Sequence, residues 1–276
     1  MSLYDIINDI SAQQATKTET GDNRIYGVMV GIVVKNYDED MKGRLCVNIP
    51  TRDEGKSELK WARLAMPSSG KKWGHYFMPE IGDQVLLAFE GGNIERPYVI
   101  GCVPIDTNSF LTGSVDKNNQ IKRIVTKNGS HITFRDGVDS KGNDDPASDQ
   151  ITIQTAGKTH TVMLDNQNKK ILIKDKDKKN FIEMSTEENS GKMTIQLESS
   201  LTIKVGDTIT MTLNGESGAI KIEASQMNIE ASDQFKASST GTMKLEGGQI
   251  TANASSAFKA ESGGPVTISG MPIKIG

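Results

Sequence analysis

The sequence predicts an all-β protein in two parts: a small barrel, followed by an intertwined β-helical prism wound from three copies of the chain. Three observations lead there. Residues 24–105 contain five apolar runs of strand length, separated by turns rich in Gly, Pro and acidic residues. Residues 211–276 repeat a short apolar pair at a spacing of seven to nine residues. Between the two the composition changes: both tryptophans (Trp61, Trp73) and all five tyrosines precede residue 99, and no proline lies between Pro146 and Pro265.

The 276 residues carry 32 Lys and Arg against 35 Asp and Glu, a net charge of −3, so the basic excess of a nucleic-acid binder is missing. With 36% hydrophobic residues and a mean hydropathy of −0.42, the chain is globular but short of core-forming side chains. No apolar run reaches the roughly 18 residues of a membrane span. The opening MSLYDIINDI lacks the basic and apolar regions of a secretory signal. Cys46 and Cys102 permit at most one bridge and fall in barrel strands, where buried thiols are expected. His75, His131 and His160 are too scattered for a histidine-rich metal site within one chain.

Residues 1–23 form a separate piece. Leu3, Ile6, Ile7 and Ile10 sit at helical spacing, with Ser2 and Asp5 placed to cap the start. A helix this short is marginal alone. It reads either as a frayed tail or as a segment that docks on a neighbouring hub subunit.

The barrel strands are expected at Ile25–Val34, Gly43–Ile49, Leu59–Met66, Gln84–Phe89 and Tyr98–Val103. Five strands in about 80 residues with little helix suggest an OB-fold. Such folds often bind single-stranded nucleic acid on exposed aromatics beside a basic groove. Residues 1–105 hold 12 Lys and Arg against 14 Asp and Glu, and their aromatics lie mostly in apolar strands, where core packing is expected. Single-strand binding is therefore a minor alternative, and no nucleic-acid partner is expected.

One ordered set of residues carries a resemblance. Pro79-Glu80-Ile81-Gly82-Asp83-Gln84-Val85, then Ala88-Phe89-Glu90, Gly92, and Arg96-Pro97-Tyr98-Val99-Ile100-Gly101 follow Gly43-Arg44-Leu45-Cys46-Val47 and Trp61-Ala62-Arg63. Residues 24–105 thereby resemble the OB domain of contractile-tail spike proteins, the phage baseplate assembly protein V and VgrG group. The resemblance implies an OB collar leading into an intertwined trimeric β-helix that forms a puncturing tip. It also implies a separate hub protein, because the large hub domains that precede the barrel in full VgrG proteins do not precede it here.

Beyond a polar linker at 106–120, residues 121–210 read as a β-rich collar that starts the β-helix, with longer strands such as Gln150–Thr155, Ile171–Lys174 and Leu201–Val205. The needle follows at 211–276. Its apolar pairs are Met211/Leu213, Ile220/Ile222, Met227/Ile229, Phe235/Ala237, Met243/Leu245, Ile250/Ala252, Phe258/Ala260, Val266/Ile268 and Ile273/Ile275. Each short strand offers only two or three apolar side chains and leaves both edges open, which invites association. Three chains around one axis solve this, so these pairs are the expected trimer core. At about 4.8 Å per unit, the nine units span roughly 40–45 Å.

No chemistry stands out. The linker is too short for the lysozyme domain that some phage relatives carry there. The acid-rich stretch Asp136–Asp149 reads as a solvated loop and does not fit an EF-hand, and Lys174–Lys179 reads as a hairpin turn. The protein is expected to be a non-enzyme without cofactor or metal. Some family members end in a His-x-His iron tip, but no histidine follows His160. The terminal Met271-Pro272-Ile273-Lys274-Ile275-Gly276 leaves apolar strand edges for a PAAR-type capping protein.

The expected function is the central spike of a contractile injection apparatus, whether a phage tail, a tailocin or an extracellular system. It would be assembled in the cytoplasm and act at the target envelope. A trimeric tailspike that binds or degrades surface polysaccharide is the alternative from another class. Such enzymes use aromatic-lined grooves, whereas Trp and Tyr are missing from the repeat.

Overall fold

The computed structural model describes residues 7, 17–18, 21, 23–51 and 59–274. The chain divides into two units, Met1–Leu201 and Thr202–Gly276. The first holds a barrel and a seven-stranded sheet; the second holds a three-stranded sheet and a long extended tail.

The barrel strands are β1 (Met29–Lys35), β2 (Arg44–Asn48), β3 (Lys60–Leu64), β4 (Gln84–Phe89) and β5 (Pro97–Cys102), closed in the order β1-β2-β3-β5-β4. All pairings are antiparallel except β3 with β5, which run parallel through Arg63↔Tyr98 and Leu64↔Val99. Strict alternation on β4 sends Val85, Leu87 and Phe89 inward. They meet Val33, Leu45, Val47, Ala62, Ile94 and Val99 in a core whose central members are fully buried. Gly31 lets β1 cross this core closely, because a Cβ there would stand 2.8 Å from Leu87 Cδ1. Closure removes the free edges that a five-stranded sheet would otherwise expose.

Two expectations for the barrel are corrected. Cys102 is exposed at the end of β5, beyond a register shift opposite Leu86 and Leu87, while Cys46 is buried and both thiols are free. The aromatics are not mainly core. Among the described aromatics only Phe89 joins the buried cluster, whereas Tyr26, Tyr37, Trp73, Tyr76 and Phe77 are exposed. The last three lie in the long β3–β4 connection rather than in a strand, so barrel alternation does not turn them inward.

After β5 the chain forms one helical turn, α1 (Ser109–Thr112), whose following Gly113 carbonyl accepts a hydrogen bond from Arg123. A seven-stranded antiparallel meander then runs in sequence order: β6 (Ile121–Val125), β7 (His131–Arg135), β8 (Gln150–Gln154), β9 (His160–Asp165), β10 (Lys170–Asp175), β11 (Phe181–Ser185) and β12 (Lys192–Gln196). Its turns are tied by carboxylates. Asp175 accepts from the backbone amides of Lys179 and Asn180 and from Asn180 Nδ2. Asp165 does the same with Asn168 and also takes Gln150 Nε2. In the β7–β8 loop Asp139 accepts from Lys141, Asn143 and the Asn143 side chain. Gly137 is packed so tightly there that a Cβ would lie 2.1 Å from Ser148 Oγ.

In the second unit, β13 (Ser200–Val205), β14 (Ile209–Asn214) and β15 (Ala219–Glu223) form a three-stranded sheet in that order. From Ala224 to Lys274 no strand forms within the chain and no residue makes a backbone–backbone hydrogen bond.

Two outcomes are expected. Leu45→Ala removes a fully buried side chain and should cost about 2–5 kcal/mol. Denaturant unfolding followed by tryptophan fluorescence checks this, since both tryptophans precede residue 99. The turn carboxylates give a second. Hydrogen bonds from Asn143 hold Asp139 below the usual carboxylate range, and those from Asn180 do the same for Asp175. At Asp165 burial opposes the charge, but the bonds from Asn168 and Gln150 outweigh it and the pKa is again lowered. A lowered folded pKa means stability that is present above the unfolded value of about 3.9 and is lost as pH falls through the folded value. Far-UV circular dichroism during thermal melts should therefore show the sheet weakening below about pH 4, with little change between neutrality and pH 5.

Candidate assembly interface

The register of the meander decides which side chains share a face. On one face, Ile132↔Ile153, Ile153↔Val162, Val162↔Ile173, Ile173↔Ile182 and Ile182↔Ile195 join Ile124↔Ile132 into an unbroken row of seven β-branched residues. Two residues along each strand, a second row runs Phe134, Ile151, Leu164, Ile171, Met184 and Met193. Aligned cross-strand pairs of this kind are what stabilise a sheet surface. No layer of the described chain covers them: Ile124 is 51% exposed, Ile153 47%, Ile173 46% and Met193 57%.

The opposite face is polar and partly closed upon itself. Thr161 and Asp165 are buried beside Leu172, and Gln154 Nε2 donates to Thr161 Oγ1 at 2.8 Å. The molecule thus buries much of its polar sheet face and exposes its apolar one, the reverse of what a water-soluble monomer needs. An apolar groove of about 750 Å³ runs along the isoleucine row from Phe77 of the β3–β4 connection to Leu197.

The second unit repeats the pattern. Met211 pairs with Ile222 and Leu213 with Ile220, which places four of the expected trimer-core residues on one face of the β14–β15 hairpin. Met227, Ile229, Phe235, Met243, Leu245, Ile250, Phe258, Val266 and Ile268 are all exposed along the extended tail, each by half or more. Between the apolar positions, Lys221–Glu223, Lys244–Glu246 and Lys259–Glu261 form ion pairs two residues apart. A reach of two residues along one side is the geometry of extended backbone, so apolar and charged side chains stand on opposite sides. At the far end Met271 is 98% and Ile273 50% exposed, with Pro272 and Lys274 exposed beside them; Ile275 and Gly276 lie outside the described residues. Of the hub-docking positions, Ile7 is exposed, while Leu3, Ile6 and Ile10 lie outside the described residues.

The sequence reading missed the two rows on β6–β12 as an interface. The signal was present as period-two alternation, in Ile151/Ile153, Ile171/Ile173 and Ile182/Met184, but alternation alone does not say whether the apolar face is covered by the same chain.

On the barrel, Arg44, Trp61, Arg63, Arg96 and Tyr98 gather with Glu90 and Glu95 around a shallow polar pocket. Tyr98 is engaged on two sides, by Arg63 stacked 6.0 Å from its ring centre and by Glu90 Oε2, 3.0 Å from its hydroxyl. Arg96 pairs with Glu90 at 3.3 Å. Among the described residues no group of three or more His, Cys, Asp or Glu is placed to hold a metal ion. The carboxylates of the Asp136–Asp149 loop serve its own turn: Asp149 accepts from the Gly137 amide and Asp145 from Ser148.

Residues 29–103 match the family described as the type VI secretion system/phage-baseplate injector OB domain. These residues carry an injector OB domain of the phage-baseplate and VgrG kind. The injector OB domain accounts for the matching strands β1 to β5. The type VI secretion system spike protein VgrG2a of Pseudomonas aeruginosa is 32% identical over 85 residues, covering 28% of this chain and 10% of that protein. VgrG1c of the same organism is 27% identical over 119 residues, 40% of this chain and 16% of that protein. VgrG3 of Vibrio cholerae is 26% identical over 129 residues, 43% of this chain and 13% of that protein. The chain therefore aligns with a small part of the length of each of these relatives.

The geometry predicts the response to a single charge. Ile153→Lys or Ile173→Lys puts an ammonium in the middle of the apolar row and should abolish or weaken self-association while leaving the barrel's tryptophan fluorescence unchanged. Analytical ultracentrifugation at several concentrations measures it.

Proposed function

We propose that the protein is the central spike of a contractile injection apparatus, working as a homotrimer whose sheets and tail form a stiff three-sided prism below a collar of injector OB domains. The observation that carries this reading is the absence of in-chain pairing from Ala224 to Lys274, in a segment whose apolar residues recur at strand spacing and are all exposed. Backbone amides and carbonyls need partners, and so do these side chains. Two further copies of the chain supply both at once.

The dimensions suit three sheets. A five-residue strand is about 16 Å long, and a triangle of that side puts each sheet about 5 Å from the axis, half the roughly 10 Å between stacked sheets. Two inward rows per chain fill such an interior without leaving a bore. Seven strands at about 4.8 Å extend the prism by roughly 30 Å. Covering 13 half-exposed side chains per chain stabilises the assembly by about 1 kcal/mol each, taking half the value for full burial.

In this reading the spike has no chemical step. Sheath contraction supplies the work, and the prism transmits it to the target envelope, so stiffness is its functional property. A separate hub protein would be engaged through the N-terminal segment with Leu3, Ile6, Ile7 and Ile10 and through the barrel. A PAAR-type protein would cap the exposed Met271 and Ile273. Assembly takes place in the cytoplasm and action at the outside of the target cell.

Light scattering of the full chain should give a mass near three chains, and a chain ending at residue 105 should give one. A monomeric full-length chain at micromolar concentration would overturn the trimeric spike.

A further inference from the structure

The two lateral edges of the β6–β12 meander carry opposite charge. One edge is formed by the β6–β7, β8–β9 and β10–β11 turns and the end of β12, and there Lys127, Lys158, Lys176, Lys178 and Lys179 stand against Asp175, Asp177 and Glu198. The β3–β4 connection also reaches this side: its Phe77 lines the groove with Thr126 and His160, and Glu80 pairs with Lys127 at 2.9 Å. The other edge is formed by the β7–β8, β9–β10 and β11–β12 turns. It holds the Asp136–Asp149 loop, with five Asp against Lys141, and the Glu187-Glu188 pair. Lys169 in the β9–β10 turn is the exception, next to a Lys170 that faces Asp165.

Several of these charges are satisfied within the chain: Lys178 pairs with Glu183, Lys179 with Glu198, and Lys122 with Asp136. What remains is mostly lysine on the first edge and mostly acid on the second. Among the described residues that are exposed without a salt-bridge partner, the first edge holds Lys158 and Lys176 against Asp177, and the second holds Asp139, Asp144, Glu187 and Glu188 against Lys141 and Lys169.

Three copies that close around an axis with their apolar faces inward must join head to tail, the first edge of each sheet meeting the second edge of the next. We infer that the seams of the trimer are electrostatic latches, in which the lysine edge of one copy meets the acidic edge of its neighbour. The inference rests on the trimeric reading and assigns the seams a chemistry. The levels agree along the prism. Lys158 between β8 and β9 stands one strand from the level of the β7–β8 acidic loop, while Lys176 between β10 and β11 meets Glu188 between β11 and β12. The apolar face supplies affinity; the edges select the head-to-tail arrangement, because joining like edges brings lysines against lysines.

The test uses the full chain, refolded by dilution from denaturant, with trimer formation followed by light scattering. At low ionic strength the wild-type rate should exceed that in about 1 M salt, where the screening length is about 3 Å, by tenfold or more. Lys158→Glu with Lys176→Glu makes both edges acidic and should slow trimer formation at low salt at least about tenfold. Adding Asp144→Lys and Glu188→Lys to that chain sets lysines opposite the new glutamates and should restore the rate. Trimers that form at one rate in all variants and salts would overturn the latch while leaving the trimer standing. A wild-type chain that never trimerises would overturn the reading on which it rests.

Discussion

The two apolar rows along the β6–β12 sheet set the terms for everything around them. An antiparallel sheet can leave one face to water only if that face is polar, and here the face open to water is the one built from Ile, Val, Leu, Met and Phe. Among the described residues no layer lies over it. Its barrel is a closed body with its own core, and its polar sheet face is already held by Gln150, Gln154, Asp165 and Thr161. Every other device in the sheet keeps that face flat and in register. The Asp–Asn turn clamps fix where each strand begins, and a slip of one residue would turn all thirteen apolar side chains to the wrong side.

The same demand changes form along the chain. Within β6–β12 and within β13–β15 each strand pairs with its sequence neighbours, so most of the backbone is satisfied locally and the apolar face is what stays uncovered. From Ala224 to Lys274 neither the backbone nor the apolar side chains find partners within the described chain. The spacing explains the change. In the two sheets most paired strands begin nine to eleven residues apart, which leaves room for reversing turns such as the one at Gly218 between β14 and β15, with a φ of +65°. In the tail the apolar pairs are seven or eight residues apart, too close for a strand and a reversal, and the chain runs on in one sense.

The barrel stands apart from this dependence. Ten residues form a closed core, and the rigid β3–β4 connection displays aromatics at its surface. There Gly70 donates to the Trp73 carbonyl, the His75 amide donates to Ser68, and the Trp73 ring lies against Gly70, where a Cβ would meet Nε1 at 2.6 Å. The injector OB domain therefore combines a conventional interior with an outer surface in which a charged belt of arginines and glutamates surrounds Trp61 and Tyr98.

By itself the sequence determined the all-β class, the five barrel strands to within a few residues, the resemblance carried by Gly82-Asp83 and Arg96-Pro97, and the apolar periodicity of the tail, because strand alternation and turn chemistry are local properties of the chain. Its expectation that the barrel aromatics lie mostly in core strands fails at Trp73, Tyr76 and Phe77, which stand exposed in the long β3–β4 connection. It also passed over the β6–β12 rows as an interface. That Ile124, Ile132 and Ile153 lie side by side depends on the pairing register of strands tens of residues apart, and that nothing covers them depends on where the barrel and the polar face come to rest. Both are non-local facts, set by turn geometry and sheet order, and only the tertiary structure decided them.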